Sequence, residues 1–344
     1  MNIAVFEVEP WESAAFDPLS RGHRVSFSER VLNAENAADY GEAEIISVSI
    51  FSRIDAAVLD RMPGLRFIAT RSTGFDHIDV DECLRRGISI SNVPRYGEST
   101  VAEHVFGLIL MISHRIAESI DRTRKGDFSQ KGLRGFDLRG KTLGVIGTGA
   151  IGRNVIEIAG GFRMRVLAFD LRPDHELARR LGFAYCPLEK LLSDSDIITL
   201  HVPAAPRTRG LIAAREFAMM KRGVVLINTA RGNLVDIEAL LQALAEGKVS
   251  AAGLDVLPEE PAIREEAELL RSFFRKTHDL STLLADHILL RMRNVYITPH
   301  NAFNTREAVE RILATTVGNI QAYMDGSPLN PVPVSPDSRD RPVK

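Results

Sequence analysis

Short apolar runs alternate with segments of helical periodicity over most of the chain. In the first hundred residues, four runs have the length and composition of buried strands, at 3–8, 44–51, 66–70 and 88–90. Strands that alternate with helices predict parallel βαβ units. The amino-terminal part of the chain is therefore expected to form a parallel sheet.

A second series of about six runs follows, at 142–147, 164–170, 196–202, 223–229, 250–256 and 294–298. A doubly wound dinucleotide-binding sheet needs this number of strands. Between the two series, residues 98–124 carry the pattern of one long helix that ends near Lys125-Gly126-Asp127 and crosses between domains. We predict an α/β fold with two Rossmann-like or flavodoxin-like doubly wound parallel-sheet domains joined by crossover helices.

Three segments near the carboxyl end have distinct patterns. Residues 305–324 have helical periodicity, and the tail at 327–344 is rich in Pro, Asp, Ser and Arg, which is typical of a loose segment. Residues 262–293 are compatible with a solvated amphipathic helix. We interpret that helix as a surface feature, with a subunit contact or the rim of a site as the alternatives.

Composition and charge limit the class of ligand. The 344 residues include 45% hydrophobic and 26% charged residues, and 43 basic and 45 acidic side chains give a net charge of −2. No basic surface for nucleic acid or an anionic membrane is predicted, so a small-molecule ligand is favoured. The amino terminus has no signal-peptide pattern, and the longest apolar run, at 105–112, is too short for a membrane span. We expect a cytoplasmic protein.

Cysteine and histidine usage points to neither disulfides nor a metal. Cys83 and Cys186 are too few and too far apart in sequence for a disulfide framework, and the nine histidines do not fall at metal-ligand spacings. We predict that no metal is bound.

The sequence Gly147-Thr148-Gly149-Ala150-Ile151-Gly152 joins a predicted strand to a predicted helix. In that context Gly147 makes the turn, Gly149 admits a pyrophosphate and Gly152 lets the helix pack closely on the strand. Asp170 ends the next strand, where a carboxylate accepts ribose hydroxyls and repels a 2′-phosphate. NAD is therefore favoured over NADP, and Arg172 is interpreted as a solvent-facing charge.

Three further segments carry side chains that would suit hydride-transfer chemistry on a 2-oxo acid. Arg231 follows the strand at 223–229, at the end of the sheet where ligands bind, and a guanidinium can hold a carboxylate and a carbonyl together. His300 follows the last strand, and imidazole suits proton transfer near neutral pH. Glu260 would orient the imidazolium if it lies against His300.

These segments resemble the D-isomer-specific 2-hydroxyacid dehydrogenases over nearly the whole chain. The resemblance implies catalytic roles for Arg231, Glu260 and His300. It implies a discontinuous substrate domain (1–115 plus 300–344), a central NAD-binding domain (116–299), closure on binding and a homodimer. It also implies NAD contacts, in addition to the glycines, at Ala150, Ile151, Asp170, Val202, Pro203, Thr208, Thr229, Ala230, Arg231 and Asp255.

Within the family, the chain is similar to the D-lactate dehydrogenase-like members. Ser72, Thr73 and Gly74 resemble the loop whose N–H groups meet the substrate carboxylate, and Phe51, Tyr96 and Phe303 resemble residues of an aromatic substrate wall. Phe51 stands where a tyrosine is expected, so the wall is apolar there. The alternatives are a glyoxylate, hydroxypyruvate or phosphoglycerate dehydrogenase and, in another class, an NADH-sensing corepressor.

Overall fold

A computed structural model describes residues 1–258, 285 and 287–332. Most of the predicted surface helix at 262–293, the tail from residue 333 and Glu260 lie outside the described residues. The chain divides into two compact units. The first unit comprises Met1–Tyr96 and Thr305–Lys344, and the second comprises Gly97–Asn304.

The first unit is built on a five-stranded sheet of entirely parallel pairs, in the order β2-β1-β3-β4-β5. Its strands are β1 (Asn2–Phe6), β2 (Arg24–Ser28), β3 (Ile45–Val48), β4 (Phe67–Thr70) and β5 (Ser89–Ser91). This is the strand order of flavodoxin-like folds. The strand pattern did not predict β2, because this strand lies at the sheet edge and most of its side chains are at least partly exposed.

The helices of the first unit are short except for the last. They are α1 (Asp17–Ser20), α2 (Ala56–Leu59), α3 (Val80–Arg85) and α11 (Arg306–Met324). The Thr305 side chain caps α11 by accepting the N–H of Ala308, which explains why the predicted helix begins there. Phe6, Ile46 and Ile68 are fully buried in the core of this unit.

The second unit contains a seven-stranded parallel sheet in the order β12-β11-β10-β9-β6-β7-β8. Its strands are β6 (Thr142–Ile146), β7 (Arg165–Phe169), β8 (Ala184–Tyr185), β9 (Ile197–Leu200), β10 (Val224–Asn228), β11 (Val249–Leu254) and β12 (Val295–Ile297). The predicted doubly wound fold is confirmed. The expected number of about six strands was one short, because β8 has only two residues and no readable alternation.

Helices cover both faces of this sheet. They are α4 (Glu98–Ser113), α5 (Ile116–Arg124), α6 (Ala150–Gly161), α7 (His175–Leu181), α8 (Leu188–Asp194), α9 (Ala214–Met219) and α10 (Ile237–Ala245). Side chains of α4, α6 and α7 pack on one face, and those of α8, α9 and α10 pack on the other. Among the described residues, we find no helix with the length and apolar character that crossing a membrane requires.

The prediction of one continuous helix over 98–124 was wrong. The helix ends at Ser113, whose carbonyl oxygen accepts the N–H of Phe136 at 2.9 Å instead of continuing the helical ladder. Arg115 then takes a left-handed conformation (φ 51°) before α5 begins. Side-chain periodicity continues through this break, so the apolar pattern alone could not reveal it.

Candidate active site

The glycine motif forms a tight cradle between β6 and α6. Gly147 has φ +96°, and a Cβ there would lie 2.6 Å from the carbonyl oxygen of His201. A Cβ at Gly152 would overlap the carbonyl of Gly147, so the helix can lie this close to the turn only with glycine. Nothing lies within 4 Å of a Cβ built on Gly149, which leaves its backbone open to a ligand. This geometry is compatible with the roles predicted for the three glycines, and the pyrophosphate contact at Gly149 stays a prediction.

The first turn of α6 adds unpaired backbone donors to this cradle. Ala150 and Ile151 open the helix after Gly149, its N-cap residue. The N–H groups of a first helical turn have no acceptor within the helix, and they favour anionic groups. The cradle therefore fits a phosphate-bearing ligand such as NAD.

Asp170 lies directly after β7 and is tied to the cradle. Its Oδ2 accepts the backbone N–H of Thr148 at 2.7 Å and the Thr148 hydroxyl at 2.9 Å, and its Oδ1 accepts the N–H of Arg172 at 2.9 Å. Burial acts to raise the pKa of Asp170, but the hydrogen bonds from Arg172 and Thr148 oppose it, and the net result is a lowered pKa. The carboxylate is therefore held in its ionised form near neutral pH, beside the cradle.

The other predicted NAD contacts lie at the carboxyl ends of neighbouring strands. Val202 follows β9, and its side chain lies against Gly147. The Thr208 hydroxyl accepts the N–H of Ala205 at 2.8 Å and contacts the Pro203 carbonyl at 2.8 Å, which closes the loop after β9. Thr229 and Ala230 follow β10 directly.

Two buried polar atoms of the second unit have no hydrogen-bond partner among the described residues, Thr229 Oγ1 and Asn301 Oδ1. Both follow the carboxyl ends of parallel strands, β10 and β12. Burying a polar group without a partner is unfavourable, so such atoms mark places where a bound molecule can complete the hydrogen bonding. Their position suits a polar ligand at this end of the sheet.

Arg231 lies in a rigid turn after β10. The side-chain amide of Asn228 donates to the Arg231 carbonyl at 2.9 Å and accepts the N–H of Ala230 at 3.1 Å. A Cβ at Gly232 would overlap the carbonyl group of Leu257, so this turn packs against the backbone that follows β11. The sequence Ala-Arg-Gly therefore places a half-buried guanidinium group at the ligand end of the sheet.

His300 occupies a turn held by a buried carboxylate. It has φ +53°, an unusual left-handed conformation for a histidine, and its N–H donates to the Thr298 carbonyl at 2.9 Å. Asp255 after β11 accepts the Thr298 hydroxyl at 2.5 Å and the N–H groups of Asn301 and Ala302 at 3.0 Å each. The Asp255 carboxylate, which is 1% exposed, thus fixes both sides of the turn.

A second histidine supports this arrangement. His104 Nε2 on α4 lies 3.1 Å from the Thr298 hydroxyl oxygen and 3.7 Å from Asp255 Oδ1. The Thr298 hydroxyl has one proton, and its short contact with the carboxylate takes that proton. His104 Nε2 must therefore carry a hydrogen that it donates to Thr298.

The predicted roles of Asp255 and Glu260 remain predictions. The Asp255 carboxylate is engaged with the His300 turn, and no described contact tests its predicted NAD contact. Glu260 lies outside the described residues, although the segment that leads to it follows β11 and packs on Gly232. The sequence did not predict that His104 and Thr298 support His300, because a lone histidine on a helix gives no signal of a partner 194 residues away.

The predicted substrate loop Ser72–Gly74 follows β4 in the first unit. The Ser72 hydroxyl donates to the Gly74 carbonyl at 2.6 Å and contacts the Thr70 hydroxyl at 2.7 Å. Thr73 donates its hydroxyl to the Val93 carbonyl at 2.8 Å, and its own carbonyl accepts the Asn92 side chain. The loop is therefore a preformed, internally bonded turn.

Phe51 lies in a loop that is organised by Glu7. The Glu7 carboxylate accepts the N–H of Ser49 at 2.8 Å, the N–H of Phe51 at 2.8 Å and the Ser52 hydroxyl at 2.5 Å. Phe51 is 42% exposed and does not belong to the core, and its place in a substrate wall stays a prediction.

Arg71 supports the same loop through Glu7. Its buried guanidinium group donates to the carbonyls of Phe6 and Glu7 and to the Ser47 hydroxyl. Burial lowers the pKa of Arg71, and the nearby carboxylates of Glu7 and Glu12 oppose this shift. The sequence around Arg71 gives no signal of this role, because its acceptors lie 24 to 65 residues away.

The remaining two predicted aromatic residues lie in different units. Tyr96 ends the first unit, and its carbonyl accepts the side chain of Arg311 at 2.6 Å. Phe303 belongs to the second unit, immediately after the His300 turn, and its Cβ lies 4.0 Å from the position that a Cβ on Gly97 would take. Both side chains are partly exposed.

Comparison with known proteins agrees with this geometry. Residues 106–302 match the model of the D-isomer specific 2-hydroxyacid dehydrogenase NAD binding domain. D-lactate dehydrogenase of Escherichia coli is 34% identical over 95% of this chain and 98% of its own length. Glyoxylate reductase of Pyrococcus furiosus is 33% identical over 93% of this chain and 87% of its own length.

A solved structure supports the same relationship. D-lactate dehydrogenase of Aquifex aeolicus, complexed with NAD and lactic acid, superposes with a TM-score of 0.83. It is 35% identical, and the match covers 95% of this chain and 96% of that one. The chain belongs to the D-isomer-specific 2-hydroxyacid dehydrogenases, a family of NAD-dependent oxidoreductases.

Proposed function

We propose that this protein reduces a 2-oxo acid to the D-2-hydroxy acid with NADH, and catalyses the reverse reaction with NAD. One observation carries the proposal. The adjacent strands β10, β11 and β12 bring the Arg231 turn, Asp255 and the His300 turn together at the carboxyl ends of the strands, in the sheet that also holds the glycine cradle. Ligands of doubly wound sheets bind at this edge.

His300 is the proposed acid and base. When bound, NADH supplies the hydride that the carbonyl carbon receives. His300 donates a proton to the carbonyl oxygen in reduction and removes it from the hydroxyl group in oxidation. His201 is not suited to this task, because burial lowers its pKa to about 3 and keeps its imidazole neutral.

Arg231 and Glu260 complete the proposed chemistry. The Arg231 guanidinium binds the substrate carboxylate and stabilises the charge that develops on the carbonyl oxygen. Glu260 orients the protonated His300. The N–H groups of Ser72, Thr73 and Gly74 provide further donors for the substrate carboxylate.

We propose pyruvate or another 2-oxo acid with an apolar side chain as the substrate. Phe51, Tyr96 and Phe303 provide apolar surface, and the relatives named D-lactate dehydrogenase favour this choice. Glyoxylate is the second candidate, because glyoxylate reductases match the chain over a similar extent. Hydroxypyruvate is tested with them, and phosphohydroxypyruvate is disfavoured because the sequence offers no basic cluster for its phosphate.

The domain roles and the assembly are also proposals. We assign substrate binding mainly to the first unit and NAD binding to the second, with boundaries near residues 96 and 304 in place of 115 and 300. A homodimer is supported by exposed apolar side chains on and after α5: Ile116, Ile120 and the 81% exposed Phe128. Light scattering of the wild type and of Phe128→Ser tests the homodimer. The cytoplasmic location stays a prediction, to be checked by cell fractionation.

The function is tested by following NADH oxidation with pyruvate, phenylpyruvate, glyoxylate, hydroxypyruvate and phosphohydroxypyruvate, followed by chiral analysis of the product. We expect the highest kcat/KM with pyruvate or phenylpyruvate and a product of D configuration. A preference for glyoxylate, or for a phosphorylated acid, would overturn the substrate assignment. Tight NADH binding without turnover of any of these acids would instead favour an NADH-sensing role.

A further inference from the structure

A chain of side-chain hydrogen bonds leads from the edge of the large sheet to the carboxylate proposed to bind ribose. The Tyr185 hydroxyl on β8 lies 2.8 Å from Thr148 Oγ1, and Thr148 Oγ1 lies 2.9 Å from Asp170 Oδ2. Thr148 stands between the first two glycines of the cradle and is 4% exposed. The three residues therefore connect strand β8, the cradle and the end of β7.

The direction of these hydrogen bonds follows from the number of protons. Asp170 is ionised, because its hydrogen bonds lower its pKa, so its oxygens only accept. The single hydroxyl proton of Thr148 must then point to Asp170. Tyr185 consequently donates its own hydrogen bond to Thr148. Each of the three residues is therefore fixed as a donor or an acceptor in these hydrogen bonds.

Two other rings contact the Tyr185 ring. Phe183 contacts it edge to face at 5.0 Å between ring centroids, and His175 does so at 5.7 Å. Tyr185 also pairs in parallel register with Ala168, two residues before Asp170. The phenol can therefore act as a rigid donor rather than as a mobile surface group.

The two carboxylate oxygens of Asp170 accept hydrogen bonds from different donors. Oδ2 accepts both the N–H and the hydroxyl of Thr148, whereas Oδ1 accepts the N–H of Arg172. We propose that Tyr185 and Thr148 are positioning residues that lock the Asp170 carboxylate for the adenosine ribose hydroxyls and thereby strengthen the selection of NAD over NADP.

Nearby arginine side chains explain why fixing the Asp170 carboxylate should affect the selection of NAD over NADP as well as the affinity for NAD. Arg172 follows Asp170 closely, and Arg153 lies beside Thr148, with its Nε donating to the Thr148 carbonyl at 3.1 Å. Arg153 is also 3.6 Å from the carboxylate of Asp174. A carboxylate that could rotate away would let a 2′-phosphate approach these guanidinium groups, whereas a fixed carboxylate repels it.

The test measures dissociation constants of NADH and NADPH by fluorescence in the full-length protein, without substrate. In Tyr185→Phe we expect the Kd of NADH to rise about fivefold, as for one lost hydrogen bond, with little change for NADPH. Thr148→Val should reduce the NADPH/NADH ratio of Kd values by about tenfold, and Thr148→Ser should restore it. Tyr296→Phe on β12, at the opposite edge of the same sheet, is the matched control.

This inference rests on the proposed ribose role of Asp170, so Asp170→Ala and the double variant Asp170→Ala/Tyr185→Phe are measured as well. The Tyr185 substitution should have no further effect once the carboxylate is gone, because it acts through that group. If Asp170→Ala leaves the ratio unchanged, the ribose role itself fails. If Asp170→Ala reduces the ratio but Tyr185→Phe and Thr148→Val do not, only the positioning role is overturned.

Discussion

The two units differ in how the polar groups at the carboxyl ends of their strands are hydrogen-bonded. In the first unit, the Ser52 hydroxyl donates to the Glu7 carboxylate, and the Arg71 guanidinium group donates to the backbone carbonyls of Phe6 and Glu7. In the second unit, Thr229 Oγ1 and Asn301 Oδ1 are buried without a partner among the described residues, and the described part of the first unit has no such atom.

This difference separates a saturated scaffold, the Glu7–Arg71 network that holds the Phe51 loop, from a site in the second unit that a ligand can complete. Leaving a buried hydroxyl or amide oxygen unpaired costs about 1–3 kcal/mol. A protein keeps that cost where a bound molecule can supply the missing partner. The saturated network of the first unit instead holds a loop in one shape. Substitution of Thr229 or Asn301 should therefore affect NADH binding more than stability, and substitutions in the Glu7–Arg71 network should affect stability more than NADH binding.

The largest effect is expected for His300→Ala. Loss of a general acid and base typically lowers the rate by about 10²–10⁴-fold, and we expect kcat/KM to fall toward the upper end. The Kd of NADH should stay within about twofold, because the imidazole acts on the carbonyl group of the acid. The exposed His114 on the same unit provides a control as His114→Ala. Near-normal turnover in His300→Ala would remove this residue from the mechanism.

The converse pattern is expected for Arg71→Met. The substitution removes a buried cation and leaves the Phe6 and Glu7 carbonyls and the Ser47 hydroxyl without their donor. The free energy of unfolding should fall by about 3 kcal/mol, measured by urea titration. Because the Phe51 loop also loses its support, the KM of the 2-oxo acid should rise while the Kd of NADH is retained.

Arg53→Met is the matched control for this variant, because the Arg53 side chain is 83% exposed. It should leave both the unfolding free energy and the KM unchanged. If Arg71→Met were as stable as the control, the distinction between a saturated scaffold and a ligand site would fail.

Thr298→Val should produce a smaller effect on turnover than His300→Ala. It removes the hydroxyl that links His104 to Asp255, so the His300 turn loses one of its three bonds to that carboxylate. We expect kcat to fall about tenfold, the size of one hydrogen bond to a charged group, and Thr298→Ser to restore it. Stopped-flow measurement of the chemical step checks this. Equal loss in Thr298→Val and Thr298→Ser would mean that the methyl group, not the hydroxyl, matters.

The sequence predicted the local parts of this site and missed the distant connections. The glycine cradle was predictable because its three roles depend on neighbouring residues and on one strand and one helix. The link from His104 to Thr298 joins residues 194 positions apart, and the bond from Thr298 to Asp255 spans 43. Such contacts leave no periodic signal in a single chain.

The same reasoning explains the errors in the fold. Strand β8 has two residues, so no alternation could identify it, although it carries Tyr185. The break between α4 and α5 depends on Phe136, which takes the carbonyl of Ser113 from a distant loop. In both places a tertiary contact, and not the local pattern, decides the structure.

The smallest effects are expected for Thr229→Val and Ser47→Ala, and this pair tests the difference between the two units most directly. Thr229→Val removes an unpaired buried hydroxyl from the second unit, and Ser47→Ala removes a paired one from the first. The Ser47 variant leaves an Arg71 N–H without its acceptor, so its unfolding free energy should fall by about 1–2 kcal/mol. The Thr229 variant loses no intramolecular bond that the described residues show, so its stability should stay equal or rise by up to about 1 kcal/mol.

NADH binding should be weakened in the Thr229 variant and not in the Ser47 variant, the reverse of the effect on stability. If the Thr229 hydroxyl is a partner for the cofactor, Thr229→Val weakens NADH binding by about three- to tenfold, whereas Ser47→Ala leaves it unchanged. Urea titration and NADH fluorescence on the two purified variants measure both quantities. A Thr229 variant that is less stable than the wild type and binds NADH normally would mean that the hydroxyl is structural, and the contrast with the Glu7–Arg71 network would then fail at this position.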